Sequence, residues 1–193
     1  VSVPNEFLWA FIGLLLTIFG TFVEASIATP SPEGVSQHKL GATYQIGAVL
    51  LTGCLGGKNA GALSQIAYVF LGLTWLPVFA GGGGWRYLAE PGFGYILGFI
   101  PGAAVCGVLA FRSRARIETL AIGAFAGLGT IHLVGILYLV ALSLVNPSGS
   151  QLIFPDSLPG AIARYSLFPL PGQIAVTCVA VVVALLLRKL LFY

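Results

Sequence analysis

Residues 76–111 read LPVFAGGGGWRYLAEPGFGYILGFIPGAAVCGVLAF, and the second half of that stretch decides the fold. From Gly92 to Phe111 no residue carries a charge, and a run of roughly 20 apolar residues is what a helix needs to cross a bilayer. Gly94, Gly98, Gly102, Cys106 and Ala110 recur at every fourth position within it, a stripe of small side chains that lets another backbone approach closely. Pro101 lies inside the run, where the missing backbone donor predicts a kink. The first half is of the opposite character. Pro77, the four glycines Gly81, Gly82, Gly83 and Gly84, and then Trp85, Arg86, Glu90 and Pro91 spell a polar loop.

Outward from this stretch the same alternation continues. Only 8% of the 193 residues are charged and 58% are apolar, which excludes a water-soluble globule, where about a quarter of residues are charged. The apolar runs predict an all-α polytopic membrane protein of six transmembrane helices, forming a single transmembrane domain over residues 1–193. The predicted spans cover about 7–28, 40–55, 60–79, 92–111, 119–145 and 172–187. The Pro, Ser and Gly of 29–39 predict a loop, Gly56-Gly57-Lys58-Asn59 a tight turn, and 146–171 a loop carrying Asp156 and Arg164 with a short interfacial helix near 158–167. A secretory-signal reading of the first run is set aside, because Asn5 and Glu6 occupy the flank where such a signal is basic.

Charge then orients the chain. Lys58, Arg112, Arg114, Arg116, Arg188 and Lys189 fall on one side of the six spans, and Lys39, Arg86 and Arg164 on the other. The excess of basic residues places the first side, with both termini, in the cytoplasm. The three long irregular loops then face outward, where loop-borne function is expected. No basic face for nucleic acid is present, and the sequence has no P-loop, no H-E-x-x-H and no triad candidate, so neither an enzyme nor a cofactor or metal site is expected. Cys54, Cys106 and Cys178 sit in apolar runs and are read as packing residues.

Polar groups within apolar segments carry the remaining information. His132, mid-span, is read as a neutral side chain hydrogen-bonded between helices; ligation of a haem or pigment is the alternative. Glu24 is placed near the outer end of the first span. Gln45, Trp75, Phe79 and Tyr95 gather near the outer face, which fits an interfacial aromatic belt or a site for a small amphipathic molecule. Gly13, Thr17, Thr21 and Ala25 form a second small-residue stripe, read as packing within the bundle or as a face for a partner subunit.

The segment Leu76-Pro77-Val78-Phe79-Ala80-Gly81-Gly82, followed by Pro91-Gly92-Phe93-Gly94-Tyr95-Ile96-Leu97-Gly98-Phe99, resembles the BioY family of biotin-binding membrane subunits of energy-coupling-factor transporters. That family has L-P-V-F-A-G-G closing its third helix and G-P-T-G-G-Y-L-x-G-F opening its fourth. Gln45 and Pro171-Gly172 also fall at family positions. The resemblance implies an S-component-like bundle that captures biotin or a related small vitamin from outside. A transmembrane coupling protein and ATPase subunits would supply the energy, with Gly13, Thr17 and Thr21 docking the coupling protein. It implies a pocket built from Gln45, Trp75, Phe79, Gly81, Gly82, Gly83, Gly84, Arg86, Tyr95, Tyr138 and Gln173. The family's P-G-D-x-x-K at the start of the last helix is here Pro171-Gly172-Gln173 with Val176 in the lysine position. An alternative is therefore a structural or assembly subunit of a larger membrane complex that keeps the fold without the ligand site.

Overall fold

The computed structural model describes residues 3–31, 34–145 and 157–191. Its elements in chain order are α1 (Val3–Phe22), strands β1 (Glu24–Ser31) and β2 (Gly34–Thr43), α2 (Gln45–Thr74), a 3-10 turn (Trp85–Ala89), α3 (Phe93–Ala110), α4 (Ile117–Val145), α5 (Leu158–Ile162) and α6 (Leu170–Leu190). A π-helical turn, Ala163–Leu167, joins α5 to α6. Among the described residues, five helical stretches qualify by length and composition to cross a membrane. The expectation of six separate spans is corrected at one place, since the second and third predicted spans form the single stretch α2.

That stretch nevertheless doubles back. Gly57 has φ 81° and ψ −173° inside the helix, a conformation essentially reserved for glycine. Gln45 Nε2 donates to Tyr68 Oη at 2.9 Å across 23 positions, which a straight helix would separate by about 34 Å. Gly53 and Gly61, on either side of the turn, both pack on Ala103 of α3. The predicted turn at 56–59 is thus present, tightened to one residue.

Small residues bring the helices together as the spacing predicts. A methyl at Gly98 would lie 2.8 Å from the Ile131 carbonyl oxygen, so α3 and α4 meet backbone to backbone. A methyl at Gly13 would lie 2.3 Å from Thr52 Cγ2. Thr17 Oγ1 accepts from Gln65 Nε2 at 3.1 Å, and Thr21 Oγ1 lies 3.0 Å from Tyr68 Oη. Gly13, Thr17 and Thr21 are all buried against α2. They hold α1 against α2, the within-bundle use of this stripe. Cys54 and Cys106 are buried side by side, Sγ to Sγ 3.4 Å, as packing partners of α2 and α3.

The largest departure from expectation lies between α1 and α2. Where a helix end, a loop and a helix start are predicted, β1 and β2 form an antiparallel hairpin pairing Ser26 with Lys39 and Thr29 with Ser36. Glu24 is corrected from the end of a span to a strand, where its carboxylate meets Lys39 Nζ at 2.6 Å in the open. The hairpin packs on α6, with the Leu40 carbonyl against Gly172. The third predicted span ends at Thr74, five residues early. Residues 146–156 of the predicted outer loop, Asp156 among them, lie outside the described residues.

Two ends of the bundle are thereby distinguished. Gly107 packs on Gly57 and Lys58, Asn59 donates to Glu6, and Arg188 donates to the Ala110 carbonyl at 2.8 Å. The residues predicted to be cytoplasmic are therefore gathered at one end, and the hairpin and the glycine loop at the other.

Candidate functional site

At the glycine-loop end the helices diverge around a cavity of about 240 Å³, somewhat below the ~300–1,000 Å³ usual for small-molecule sites. Its lining comes from Thr43 of β2, Gln45 and Ile46 of α2, Ala80 and Tyr87 of the loop, Gly92, Tyr95, Ile96 and Phe99 at the start of α3, Tyr165 of the π turn, and Gln173 of α6. The walls are apolar and aromatic with a few polar atoms, the composition of a site for a small amphipathic molecule. Among the described residues no charged side chain lines it.

The loop is fixed by its backbone. Phe79 and Gly82 exchange N–H to O=C bonds at 2.9 Å in both directions, and Gly84 N–H donates to the Gly72 carbonyl at 2.7 Å. Gly82 (φ 115°) and Gly84 (φ 87°) occupy the left-handed region this path demands. The loop buries Phe79 beneath the cavity floor, 4.7 Å from the Tyr87 ring and 5.3 Å from Tyr68. Tyr87 is set between this ring and the cavity. Burial raises its hydroxyl above the ordinary tyrosine value, partly offset by the Gly81 backbone N–H, so it is a neutral phenol at physiological pH.

A hydrogen-bonded chain stands behind the opposite wall. Tyr95 Oη is 2.7 Å from Ser166 Oγ, Ser166 Oγ is 3.1 Å from His132 Nδ1, and His132 Nε2 is 2.7 Å from Gln173 Oε1. It links α3, the π turn, α4 and α6, and it engages both nitrogens of His132. The imidazole is thus an interhelical hydrogen-bonding group, with neither nitrogen left for a haem or pigment. Tyr95 also stacks on Tyr165, centroids 6.1 Å apart. Gln45, Gly92 and Gln173 lie at the starts of α2, α3 and α6, so three helix N-termini meet at the cavity and favour electron-rich ligand groups there.

Of the residues expected to form a pocket, Gln45, Tyr95 and Gln173 line this cavity together. Phe79 and the glycines 81–84 act one layer back, as support for Ala80 and Tyr87. Tyr138 donates to the Leu88 carbonyl and packs edge-on against Phe93, fastening the 3-10 turn rather than lining the cavity. Trp75, 80% exposed, and Arg86, also exposed, are not among the lining residues. Val176 packs on Gly47 between α2 and α6, outside the lining. Thr43, Tyr87 and Tyr165 were not anticipated. The two tyrosines carry the same signal as an interfacial aromatic belt, and Thr43 arrives only through the hairpin.

Comparison with known proteins gives a consistent picture. The family model described as BioY family matches residues 4–192. A probable biotin transporter BioY of Lysinibacillus sphaericus is 35% identical over 153 residues, covering 77% of this chain and 72% of the relative. An uncharacterized 21.2 kDa protein from the psbX-ycf33 intergenic region of Cyanophora paradoxa is 25% identical over 187 residues, 95% of each chain. Among solved structures, the S-component for biotin from an ECF-type ABC transporter superposes with a TM-score of 0.68, at 23% identity, over 97% of this chain and 92% of the other. At that identity the likeness establishes the fold.

Proposed function

We propose, from the premise that this chain belongs to the BioY family, that it is the membrane-embedded subunit that captures biotin from the outer face for uptake. The observation that carries the reading is the cavity at the glycine-loop end, bounded by the family-like segments around Phe79 and Tyr95 and lined by Gln45, Tyr95, Tyr87, Tyr165 and Gln173. Biotin is small, with an apolar thiophane ring and chain between a ureido group and a carboxylate. Aromatic walls suit the ring and chain, and the polar atoms at the helix starts suit the ends. The carboxylate meets helix N-termini instead of the lysine that Val176 replaces.

The chain has no ATP site, so energy comes from a transmembrane coupling protein and ATPase subunits of the energy-coupling-factor type. The exposed apolar face of α1, carrying Phe7, Phe11, Phe19 and Phe22, is available to lipid or to that coupling protein, since its small-residue face is occupied by α2. The end bearing Lys58, Arg112, Arg114, Arg116 and Lys189 lies in the cytoplasm together with both termini, following the excess of basic residues. The assembly-subunit alternative is not favoured, because the relatives matching at 30% identity or above are named as biotin transporters.

Uptake tests this reading. In cells lacking their own biotin transporter, expression of this chain together with a coupling protein and its ATPases is expected to support accumulation of labelled biotin. Accumulation that is no greater than with the coupling proteins alone would contradict it.

A further inference from the structure

At the end of the bundle opposite the glycine loop, positive charge is gathered and left without counter-charge. Gly107 packs on the backbone of Gly57 and Lys58. Arg188, buried on α6, donates to the Ala110 carbonyl at 2.8 Å and sets its guanidinium 3.9 Å from the centre of the Phe111 ring. Lys58, the turn at 111–116 and Lys189 are thereby brought to one place. The turn itself has a fixed shape: Arg112 N–H donates to the Leu109 carbonyl at 3.2 Å, and the Ser113 and Thr119 hydroxyls meet at 2.9 Å across it. Lys58, Arg112, Arg114, Arg116 and Lys189 are all exposed, and among the described residues none of them is in an ion pair. Glu6, an acid of the same end, is already engaged by the Asn59 amide through both oxygens. Exposed apolar side chains, Val108, Ile117, Leu190 and Leu191, stand next to the basic ones in the chain, so the charges sit where the helices leave the hydrocarbon.

Between the turn and the start of α4 lies a recess of about 390 Å³ lined by Ser113, Arg114, Arg116, Glu118 and Thr119. Two guanidinium groups and one carboxylate leave it a single positive charge in surplus. That surplus matches a phosphodiester, which carries one negative charge, better than a phosphate monoester, which carries about 1.5 to 2. Arginine suits a phosphate oxygen pair, and a carboxylate only accepts hydrogen bonds, so Glu118 calls for a headgroup with an O–H to donate. We propose that this recess binds the headgroup of an anionic phospholipid whose phosphodiester carries free hydroxyls, of the phosphatidylglycerol type, in the leaflet at the basic end. The phosphate lies between Arg114 and Arg116, and a headgroup hydroxyl donates to Glu118. Lys58, Arg112 and Lys189 add attraction to the same anionic surface. A zwitterionic lipid has no net charge to meet the surplus. The site is separate from the cavity and needs no ligand there.

The test places the full chain in phosphatidylcholine nanodiscs doped with phosphatidylglycerol, phosphatidic acid or phosphatidylethanolamine, and counts the lipid retained per subunit by native mass spectrometry. Phosphatidylglycerol is expected to be retained at least about fivefold above its share of the bilayer, phosphatidic acid less, and phosphatidylethanolamine at its bilayer share. The double variant Arg114→Gln, Arg116→Gln should bring phosphatidylglycerol down to its bilayer share. The double variant Lys39→Gln, Arg86→Gln, which removes the same charge at the other end, should leave the enrichment in place. Glu118→Gln removes the repulsion of a second negative charge and should raise phosphatidic acid relative to phosphatidylglycerol. Equal retention of phosphatidylethanolamine and phosphatidylglycerol by the wild type would overturn the proposal, as would the same response from both double variants. Wild-type preference for phosphatidic acid would overturn the charge match. Displacement of the retained lipid by inorganic phosphate, with no preference among the lipids, would make the recess a site for free phosphate instead. The substituted side chains are exposed, and the wild-type lipid series is decisive without them.

Discussion

The two ends of the bundle use the same helices and reach opposite results. At the basic end, glycine and alanine meet across α2 and α3. A methyl at Gly107 would lie 2.4 Å from both Gly57 C and Lys58 N, and no room is left between backbones. At the other end Tyr87, Tyr95, Phe99 and Tyr165 stand between the helices, and about 240 Å³ stays open. The difference teaches that side-chain size along a helix sets how far the backbones separate. Tight packing at one end fixes the angle at which the other end opens.

Enlarging the tight end should break this arrangement with the largest effect. Gly107→Leu drives a side chain into backbone that cannot yield, and a loss of about 3 kcal/mol or more is expected, seen as loss of a monodisperse peak in size-exclusion chromatography. Next is Gly57→Ala. Its φ of 81° with extended ψ should cost about 1–3 kcal/mol, seen as a lower melting temperature by tryptophan fluorescence. The open end should respond in function rather than in stability. Tyr165→Ala removes a cavity wall stacked on Tyr95, and biotin affinity should fall about tenfold by titration calorimetry, with melting shifted by a few degrees at most. The smallest effect belongs to Glu24→Ala. Its ion pair with Lys39 is exposed, so stability should change by less than about 1 kcal/mol, and binding should not change.

Much of the tight end could be read from the amino acids alone. The fourfold spacing from Gly94 to Ala110 is a local pattern with one physical use, close helix contact, and α3 makes that contact with α4 and α2. The positions of α3 and α4 follow from uninterrupted apolar runs. The hairpin was hidden, because Pro30, Ser31 and Pro32 look like loop chemistry and the short alternation on either side is weak. It displaced the ends of the first two predicted spans. The cavity was legible only in part. Gln45, Tyr95 and Gln173 are polar groups at helix starts, which a bilayer makes conspicuous. Trp75 and Arg86 shared that signal, but both are exposed and neither lines the cavity. Tyr87 and Tyr165 line the cavity because a 3-10 turn and a π turn rotate them inward, and no sequence period reports such a rotation.

The account turns on the cavity being a biotin site, and titration calorimetry of biotin into the folded wild-type protein addresses that most directly. Saturable one-to-one binding, weakened about tenfold by Tyr165→Ala, is the predicted result. A monodisperse, cooperatively melting protein that gives no saturable heat at high micromolar biotin would contradict it.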